Sequence, residues 1–374
     1  MPGSIGSACV HGKASEPVLV GLPTYGPRPA ASTGAPAEHE DLKLALAGLR
    51  YVEVETSRYC NRKCSWCPNG HTGKRDVQQL MLWPLLEKVA AELGAAGFAG
   101  FLALHNYNEP LANPRLDQEL ELLHGSVPDA RLSVYTNGDL LKRDRLQSLL
   151  AAGVRYVRVT RYPHRADVAP TEEALEKWLA QSGLAGALDW RIGAVRQGLA
   201  ARWEDEATGA LVEVIRPEVA TYNYRGGSAT VPVAAPVRTQ PCQMTRTSLS
   251  IDYRGTVKMC CNVIPDSVPD HERYATGSIA DTSLAELWNS RIMQEWRRLH
   301  GDADWSQSPA CSTCVQALPE TRRLPQAYPA PVFISPLARS WPRHTLGLLV
   351  DIALLHSVVM QLMCQVDLGL KAFH

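Results

Sequence analysis

The chain has 374 residues, and its 38 Lys and Arg residues balance 38 Asp and Glu residues, so its formal net charge is zero. This balance argues against a protein that coats nucleic acid or adheres to membranes through a polybasic surface. With 45% hydrophobic and 20% charged residues, the composition is that of a globular chain, and disorder throughout is excluded. The length suffices for one large domain or for two domains with separate cores.

The first 48 residues are predicted to form a flexible arm, because the run 27–37 is rich in proline and small residues. No signal peptide is expected, since residues 1–15 lack both a basic start and a continuous apolar core. We therefore expect a cytoplasmic protein.

From Tyr51 to residue 230, strand-like and helix-like segments alternate. The predicted strands begin near Tyr51, Phe98, Arg131, Val154, Leu188 and Leu211, and the predicted helices span 80–93, 116–123, 143–152 and 172–181. Six such units over residues 49–230 predict an α/β fold, a partial (β/α)6 TIM-like barrel with its site at the C-terminal ends of the strands.

Residues 231–318 are predicted to form a small second domain. Prolines interrupt the pattern after residue 230, and a hairpin is expected over 248–263 with its turn at Arg254-Gly255. A helix follows, in which Trp288 and Trp296 are expected to pack in a core. Residues 319–374 are predicted to form a C-terminal extension with an apolar helix, whose polar residues argue against a membrane span.

Ten cysteines are too few for a disulfide-stapled chain of this length and too closely grouped for core filler. Three lie together at Cys60, Cys64 and Cys67, and three others, Cys9, Cys261 and Cys364, are left over. A possible second set comprises Cys242, Cys260, Cys311 and Cys314. Clusters this tight indicate metal ligands in a reducing compartment.

The first set has the spacing Cys60-x3-Cys64-x2-Cys67, directly after the first predicted strand. Three thiolates can ligate three irons of a [4Fe-4S] cluster and leave the fourth iron open for a substrate or cofactor. Zinc is the alternative, but structural zinc sites close with four ligands and often use paired Cys-x2-Cys units.

This spacing, with the aromatic Trp66 before the third cysteine, resembles the radical S-adenosylmethionine (SAM) superfamily. The resemblance implies that the open iron binds SAM and that the reduced cluster cleaves it to a radical that abstracts a hydrogen atom. Two further segments match SAM-contacting positions: Asn108-Glu109-Pro110, near the SAM ammonium, and Thr136-Asn137, near the ribose. Many relatives have Gly in place of Asn108, and Asn137-Gly138 alone would indicate an ordinary turn.

The second set of cysteines resembles the SPASM/twitch extension of the same superfamily, in its truncated form with one auxiliary cluster. The resemblance implies that Cys242, Cys260, Cys311 and Cys314 close a second [4Fe-4S] cluster, which then moves electrons and binds no substrate. A zinc knuckle at Cys311-x2-Cys314 is the alternative.

Three residues are candidates for substrate chemistry. Tyr135 and Arg225 match pocket residues of twitch-type dehydrogenases of aminoglycoside biosynthesis, a group that the chain resembles over about residues 50–317. Cys261 directly follows a presumed ligand and is expected to be packing or an alternative ligand. The other interpretation is a thiol that returns a hydrogen atom to a substrate radical, as in radical epimerases.

The resemblance implies an oxidoreductase that dehydrogenates a hydroxyl-bearing carbon of an aminocyclitol or amino sugar. Its expected partners are this small molecule and an electron donor such as flavodoxin or ferredoxin, with no nucleic acid and no membrane. The alternatives are a peptide-modifying enzyme, an epimerase, and a non-catalytic iron-sulfur or zinc scaffold. Nicotinamide and P-loop chemistry have no motif in the sequence.

Overall fold

The sheet and its helices come from a computed structural model that describes residues 36–71, 79–165, 168–195, 198–219, 225–229 and 237–314. All of these residues belong to one compact unit, Met1–Pro319. The second unit, Glu320–His374, which includes the predicted apolar helix, is not among the described residues. The helices are α1 (Pro36–Ala45), α2 (Trp83–Ala95), α3 (Leu116–Ser126), α4 (Arg143–Ala151), α5 (Glu172–Gln181), α6 (Met244–Thr247), α7 (Leu284–Trp288) and α8 (Arg291–Gly301). The strands are β1 (Tyr51–Val54), β2 (Phe101–Ala103), β3 (Arg131–Thr136), β4 (Tyr156–Thr160), β5 (Arg191–Val195), β6 (Gly198–Asp205), β7 (Ala210–Pro217), β8 (Ser248–Ile251), β9 (Thr256–Lys258) and β10 (Ala275–Ser278).

Six neighbouring strands at the centre of the sheet are parallel, in the order β8, β1, β2, β3, β4, β7. Antiparallel strands extend both edges: β9 and β10 beside β8, and β6 and β5 beside β7. The carboxyl ends of β1 to β4 therefore lie along one edge, where an α/β sheet places its site. The predicted α/β fold with a partial barrel of six parallel strands is confirmed.

The identity of the sixth strand differs from the prediction. The strand expected near Leu188 forms as β5, but it pairs antiparallel with β6, because only two residues separate them and a parallel pair needs a long crossover. Its place is taken by β8, which was expected only in a hairpin and which pairs with both β1 and β9. The domain boundary after residue 230 stays a prediction, and the sheet continues across it.

Two further elements differ from the sequence prediction. The helix expected through Trp288 and Trp296 is divided into α7 and α8, because Ser290 caps a new helix by accepting a hydrogen bond from Met293 N at 3.2 Å. Both tryptophans are buried, as expected. The arm predicted as flexible ends in α1, and Leu46 just after it is buried in the core.

Side chains along the parallel strands alternate between an apolar and a polar face. The apolar face packs against α2 to α5 and forms the main core, in which these strand residues are buried: Val52, Val54, Leu102, Leu132, Val134, Val157, Val159, Val212, Val214, Leu249 and Ile251. The opposite face carries Glu53, Tyr135, Arg158, Glu213 and Ser250, placed side by side by the strand register. The fold thus gathers polar groups on the side away from the helices.

A second, smaller core lies in the C-terminal part of the unit. Its members are Met259, Val263, Tyr274, Trp296 and Leu299, and Cys260, Ala310 and Cys311 pack against them. Two of the cysteines of the second set are therefore anchored in an apolar environment.

The two faces make a stability prediction. Leu102 is completely buried in the middle of the apolar face, so Leu102→Ala should lower the free energy of unfolding by about 2–5 kcal/mol through lost burial and a cavity. Leu44→Ala on α1, where 76% of the side chain is exposed, is the matched control and should change it by less than about 0.5 kcal/mol. Denaturant unfolding measures both, and equal effects would contradict the assignment of the faces.

Candidate active site

The first set of cysteines lies on the loop that leaves β1. Cys60, Cys64 and Cys67 are all half-buried, and the loop is held by a hydrogen bond from Cys67 N to Cys64 O at 3.1 Å. Gly70 packs directly against the backbone of this loop at Cys64. A Cβ at this position would lie 2.4 Å from Cys64 O, so the close approach requires glycine.

The thiols of this loop influence one another electrostatically. Burial raises the pKa of Cys60 to about 11, with smaller contributions from Glu109 and Cys67. Burial also raises the pKa of Cys64 to about 11, although the Arg62 guanidinium opposes the rise. As free thiols both are protonated near neutral pH, so a bound metal must stabilise their thiolates.

The residues of this loop fit an iron-sulfur cluster by the chemistry of their donors. Three soft sulfur atoms and no carboxylate come from one short segment, as the resemblance requires. Trp66 Nε1 and Asn69 Oδ1 beside them are buried with no hydrogen-bond partner. Within the described ranges, no group of three or more His, Cys, Asp or Glu side chains is arranged to hold a metal ion. Cluster ligation by these cysteines is therefore a proposal, argued from donor chemistry and position.

The predicted SAM-contacting residues come together at the ends of β2 and β3. Glu109 is buried and accepts hydrogen bonds from Asn137 N at 2.7 Å, Leu111 N at 3.1 Å and the Thr136 hydroxyl. Burial raises the pKa of Glu109 to about 6, and these hydrogen bonds oppose the rise. The carboxylate also caps the short 3₁₀ helix that begins at Pro110.

Asn108 supports this corner from the interior. It is buried, and its Nδ2 donates to Ser57 Oγ at 3.2 Å while its Oδ1 accepts from Asn106 N at 3.0 Å. The backbone N–H of Glu109 donates to Tyr59 O at 2.8 Å, next to the first cysteine. The two segments are thereby tied to the cysteine loop.

Asp139, a residue that the sequence prediction missed, connects the loops at three of the strand ends. Its carboxylate accepts from Arg62 Nε at 2.6 Å, on the cysteine loop, and from Arg161 Nη1 at 2.9 Å, after β4. Asn61 Nδ2 donates to the same carboxylate at 3.1 Å. Burial alone would raise the pKa of Asp139, but the two guanidinium groups outweigh it and lower the pKa to about 2.

The second set of cysteines surrounds one cavity. Cys242, Cys260, Cys311 and Cys314 all line this cavity, together with Asn262 and His300. Burial raises the pKa of Cys311 to about 12, with contributions from Cys314 and Cys242. By their number and donor chemistry, four sulfur atoms lining one cavity suit a fully ligated cluster.

Cys261 is hydrogen-bonded to its neighbour Cys260 but has different surroundings. It does not belong to the cavity lining among the described residues, and its electrostatic neighbours include Arg225 and Tyr107. A hydrogen bond between the two adjacent thiols is the main cause that raises the pKa of Cys260, with burial next. The two cysteines therefore face different surroundings.

Arg225 lies between the two sets of cysteines. Its backbone has a φ of +50°, and its Nη1 donates to Asn262 Oδ1 at 2.7 Å. Burial disfavours its charge, but Tyr107, Cys261 and Cys67 more than compensate, and the pKa of Arg225 stays above its ordinary value. The guanidinium is therefore charged, near one member of the first set and close to the second.

Tyr135 lies on the polar face of the sheet, in an aromatic cluster. Its ring stacks on His105 with 4.0 Å between the centroids, and Tyr156 meets it edge-on at 5.6 Å. His105 Nε2 lies 2.9 Å from the Tyr51 hydroxyl, and its Nδ1 lies 3.4 Å from Glu53 Oε1. A carboxylate, an imidazole and three phenols thus form one continuous group.

Asn106 joins this group to the backbone of Cys261, the residue after Cys260 of the second set. Its Nδ2 donates to Glu53 Oε1 at 3.0 Å and to Cys261 O at 3.2 Å, and its Oδ1 accepts from Lys258 Nζ at 3.3 Å. Lys258 is 1% exposed, although Lys is seldom buried without partners. The sequence singled out Tyr135 alone, although the alternation of Glu53 with Val52 and Val54 was a signal for this face.

Two family models match the chain. Residues 54–160 match the Radical SAM superfamily, and residues 242–315 match SPASM, an iron-sulfur cluster-binding domain. The chain therefore has a radical SAM region and a SPASM region, and these two regions imply SAM and [4Fe-4S] clusters as cofactors, one of the clusters being auxiliary. None of the described helices combines the length and the apolar character that crossing a bilayer requires.

Particular relatives narrow the comparison. The chain is 25% identical over 264 residues to the S-adenosyl-L-methionine-dependent 2-deoxy-scyllo-inosamine dehydrogenase of Niallia circulans, covering 70% of this chain and 91% of that protein. It is also similar to the crystal structure of BtrN in complex with AdoMet and 2-DOIA, with a TM-score of 0.55 and 24% identity, covering 72% of this chain and 94% of that one. This structural likeness supports the fold.

The Asp139 network makes a prediction about pH. Because the pKa of Asp139 is about 2 in the fold and ordinarily 3.8, its ion pairs stabilise the protein above pH 3.8, and this stabilisation is lost as the pH falls towards 2. Asp139→Asn should therefore lower stability at pH 7 by about 1 kcal/mol, a value reduced by solvent exposure. The deficit should shrink in acid.

The control is Asp117→Asn, which removes an exposed ion pair to Arg145 at 2.6 Å and should have little effect. Thermal melts of the three proteins between pH 3 and 7 make the comparison. A deficit for Asp139→Asn that grows on acidification would contradict the assigned ion pairs.

Proposed function

We propose that this radical SAM enzyme oxidises a hydroxyl-bearing carbon of an aminocyclitol or amino sugar, and that the auxiliary cluster accepts the remaining electron. The observation that carries the proposal is the position of Arg225. Its charge interacts with Cys67 of the first set, and its partner Asn262 contacts Cys260 and Cys314 of the second. A hydroxyl bound at Arg225 would therefore lie near both sets.

Each cofactor has a proposed set of ligands in this chain. Cys60, Cys64 and Cys67 would hold the cluster that binds SAM, and the segments around Glu109 and Asn137 would bind the SAM molecule itself. The auxiliary cluster would be held by Cys242, Cys260, Cys311 and Cys314. When bound, these groups supply hydrogen-atom abstraction from carbon and an acceptor for one electron.

The polar face of the sheet suits a substrate that carries both hydroxyl and amino groups. Arg225 presents several donors to hydroxyl oxygens, and Glu53 is a buried carboxylate that can pair with an ammonium group. Tyr135 and His105 provide a flat stacked surface beside Glu53. The dehydrogenase from Niallia circulans is named for an aminocyclitol, 2-deoxy-scyllo-inosamine, which supports this substrate class.

Oxidation of an alcohol also requires a group that takes the hydroxyl proton. Arg225 is unsuited to this, because its guanidinium stays charged, so we assign it hydroxyl binding and stabilisation of developing negative charge. His105 is a better candidate, because an imidazole nitrogen can accept a proton and Glu53 Oε1 lies 3.4 Å from the Nδ1 of this ring. The proton would be held at His105 Nε2.

A second candidate function follows from Cys261. Its thiol interacts electrostatically with both Arg225 and Tyr107. From this position it could return a hydrogen atom to a substrate radical bound at Arg225. In that case the enzyme would be an epimerase of a sugar or a peptide. The oxidation of a hydroxyl remains the stronger proposal, because the named relative is a dehydrogenase.

Arg225→Lys tests the proposed function. Lysine keeps the charge but loses the forked donors, so formation of ketone from 2-deoxy-scyllo-inosamine should fall about a hundredfold, the usual loss for one well-placed donor. Iron content and 5′-deoxyadenosine formation without substrate should stay at wild-type levels. Chromatography with mass spectrometry measures both products.

Arg298→Lys is the matched control, because this exposed arginine on α8 pairs with Glu295 at 2.7 Å and should leave ketone formation unchanged. A wild-type protein that forms no ketone would contradict the substrate proposed here. Unchanged ketone formation in Arg225→Lys, with a lower melting temperature, would instead identify Arg225 as a structural residue.

A further inference from the structure

Asn262 makes three contacts at once at the boundary between the polar face and the second set of cysteines. Its side chain is 5% exposed, and its Nδ2 donates to Cys314 Sγ at 3.8 Å. Its backbone N–H donates to Cys260 Sγ at 3.5 Å, and its Oδ1 accepts from Arg225 Nη1 at 2.7 Å. One amide side chain thus connects Arg225 to a cysteine on the cavity wall.

The orientation of this amide is fixed by its partners. A guanidinium can only donate hydrogen bonds, so the amide oxygen must face Arg225. The amide N–H₂ group then points towards Cys314, which is a hydrogen-bond acceptor once it is a thiolate. The direction of the hydrogen bonds therefore runs from Arg225 through Asn262 to the sulfur.

A hydrogen bond donated to a cysteine ligand affects the electron affinity of an iron-sulfur cluster. Such bonds stabilise the more negative, reduced form and raise the reduction potential. The positive charge of Arg225 polarises the amide and makes its N–H a stronger donor, as in other chains of hydrogen bonds in a low-dielectric interior. Removal of the Arg225 guanidinium or of the Asn262 amide should therefore make the cluster harder to reduce.

We propose that Asn262 is a positioning residue that couples the substrate-binding Arg225 to the reduction potential of the auxiliary cluster. This inference rests on the proposed function, in which the substrate loses a hydrogen atom to the 5′-deoxyadenosyl carbon, a proton to His105 and one electron to this cluster. The accepted electron adds negative charge to the cluster next to Cys314. The Asn262 amide, which donates to Cys314, and the positive charge of Arg225 would stabilise this added charge. Substrate binding and electron acceptance thereby share one residue.

The test is the midpoint potential of the auxiliary cluster in full-length, reconstituted enzyme, followed by electron paramagnetic resonance. Asn262→Ala loses the donor to Cys314 and should shift the potential to more negative values. Asn262→Asp keeps the acceptor for Arg225 but replaces the donor with a carboxylate of the same shape, so its shift should be larger. Asn289→Ala, which removes an amide bonded to Ala45 O and Ala285 O on α7, is the control and should leave the potential unchanged.

A double variant tests the coupling itself. Arg225→Ala should also shift the potential to a more negative value. The shift should be smaller when Arg225→Ala is added to Asn262→Ala, because the hydrogen-bond relay from Arg225 through Asn262 to Cys314 is then already broken. Equal shifts from Arg225→Ala in the wild type and in Asn262→Ala would overturn this relay. Unchanged potentials in both Asn262 variants would overturn the inference as a whole.

Iron content separates these outcomes from failure of the proposed function. A wild-type protein with about eight irons per chain carries both clusters, and the potentials then decide the role of Asn262 alone. A wild-type protein with about four irons carries only one of the two clusters, which would contradict the proposed function first. If Asn262→Asp binds less iron than the wild type, Asn262→Ala provides the same measurement.

Discussion

The alternation of side chains along the parallel strands is the constraint on which the site depends. Every central strand must bury one face under helices, and the apolar residues such as Val52 and Val134 occupy that face. The residues between them, among them Glu53 and Tyr135, are then forced to the other side. A one-residue shift in register would exchange the two sets, so stability and the placement of polar groups are set by the same pattern.

The carboxyl ends of these strands bring distant segments to one edge. Cys60 follows β1, Glu109 follows β2, Asn137 follows β3 and Arg161 follows β4. Their contacts are direct: Glu109 accepts from Asn137, and Asp139 holds both the cysteine loop and Arg161. The cysteine loop is thus fixed by hydrogen bonds to two other strand ends as well as by its own turn.

The sequence predicted the elements better than their pairing. Local spacing located α2 to α5 and both groups of cysteines, because capping, periodicity and metal-ligand spacing are short-range signals. It did not predict that β8 would pair with β1, since these strands are almost 200 residues apart in the chain and no local pattern records the contact. For the same reason Asn262 and Asp139 were missed: their importance comes from partners such as Arg225 and Arg62, which only the fold brings near.

The proposed chemistry requires a net oxidation, with one 5′-deoxyadenosine formed for each ketone. The most direct measurement uses 2-deoxy-scyllo-inosamine deuterated at its hydroxyl-bearing carbons, the reduced enzyme and SAM, followed by mass spectrometry of both products. The account predicts equal amounts of 5′-deoxyadenosine and ketone, with one deuterium in each 5′-deoxyadenosine. A product at the oxidation state of the substrate that has gained hydrogen from solvent would contradict it and would favour hydrogen return by Cys261.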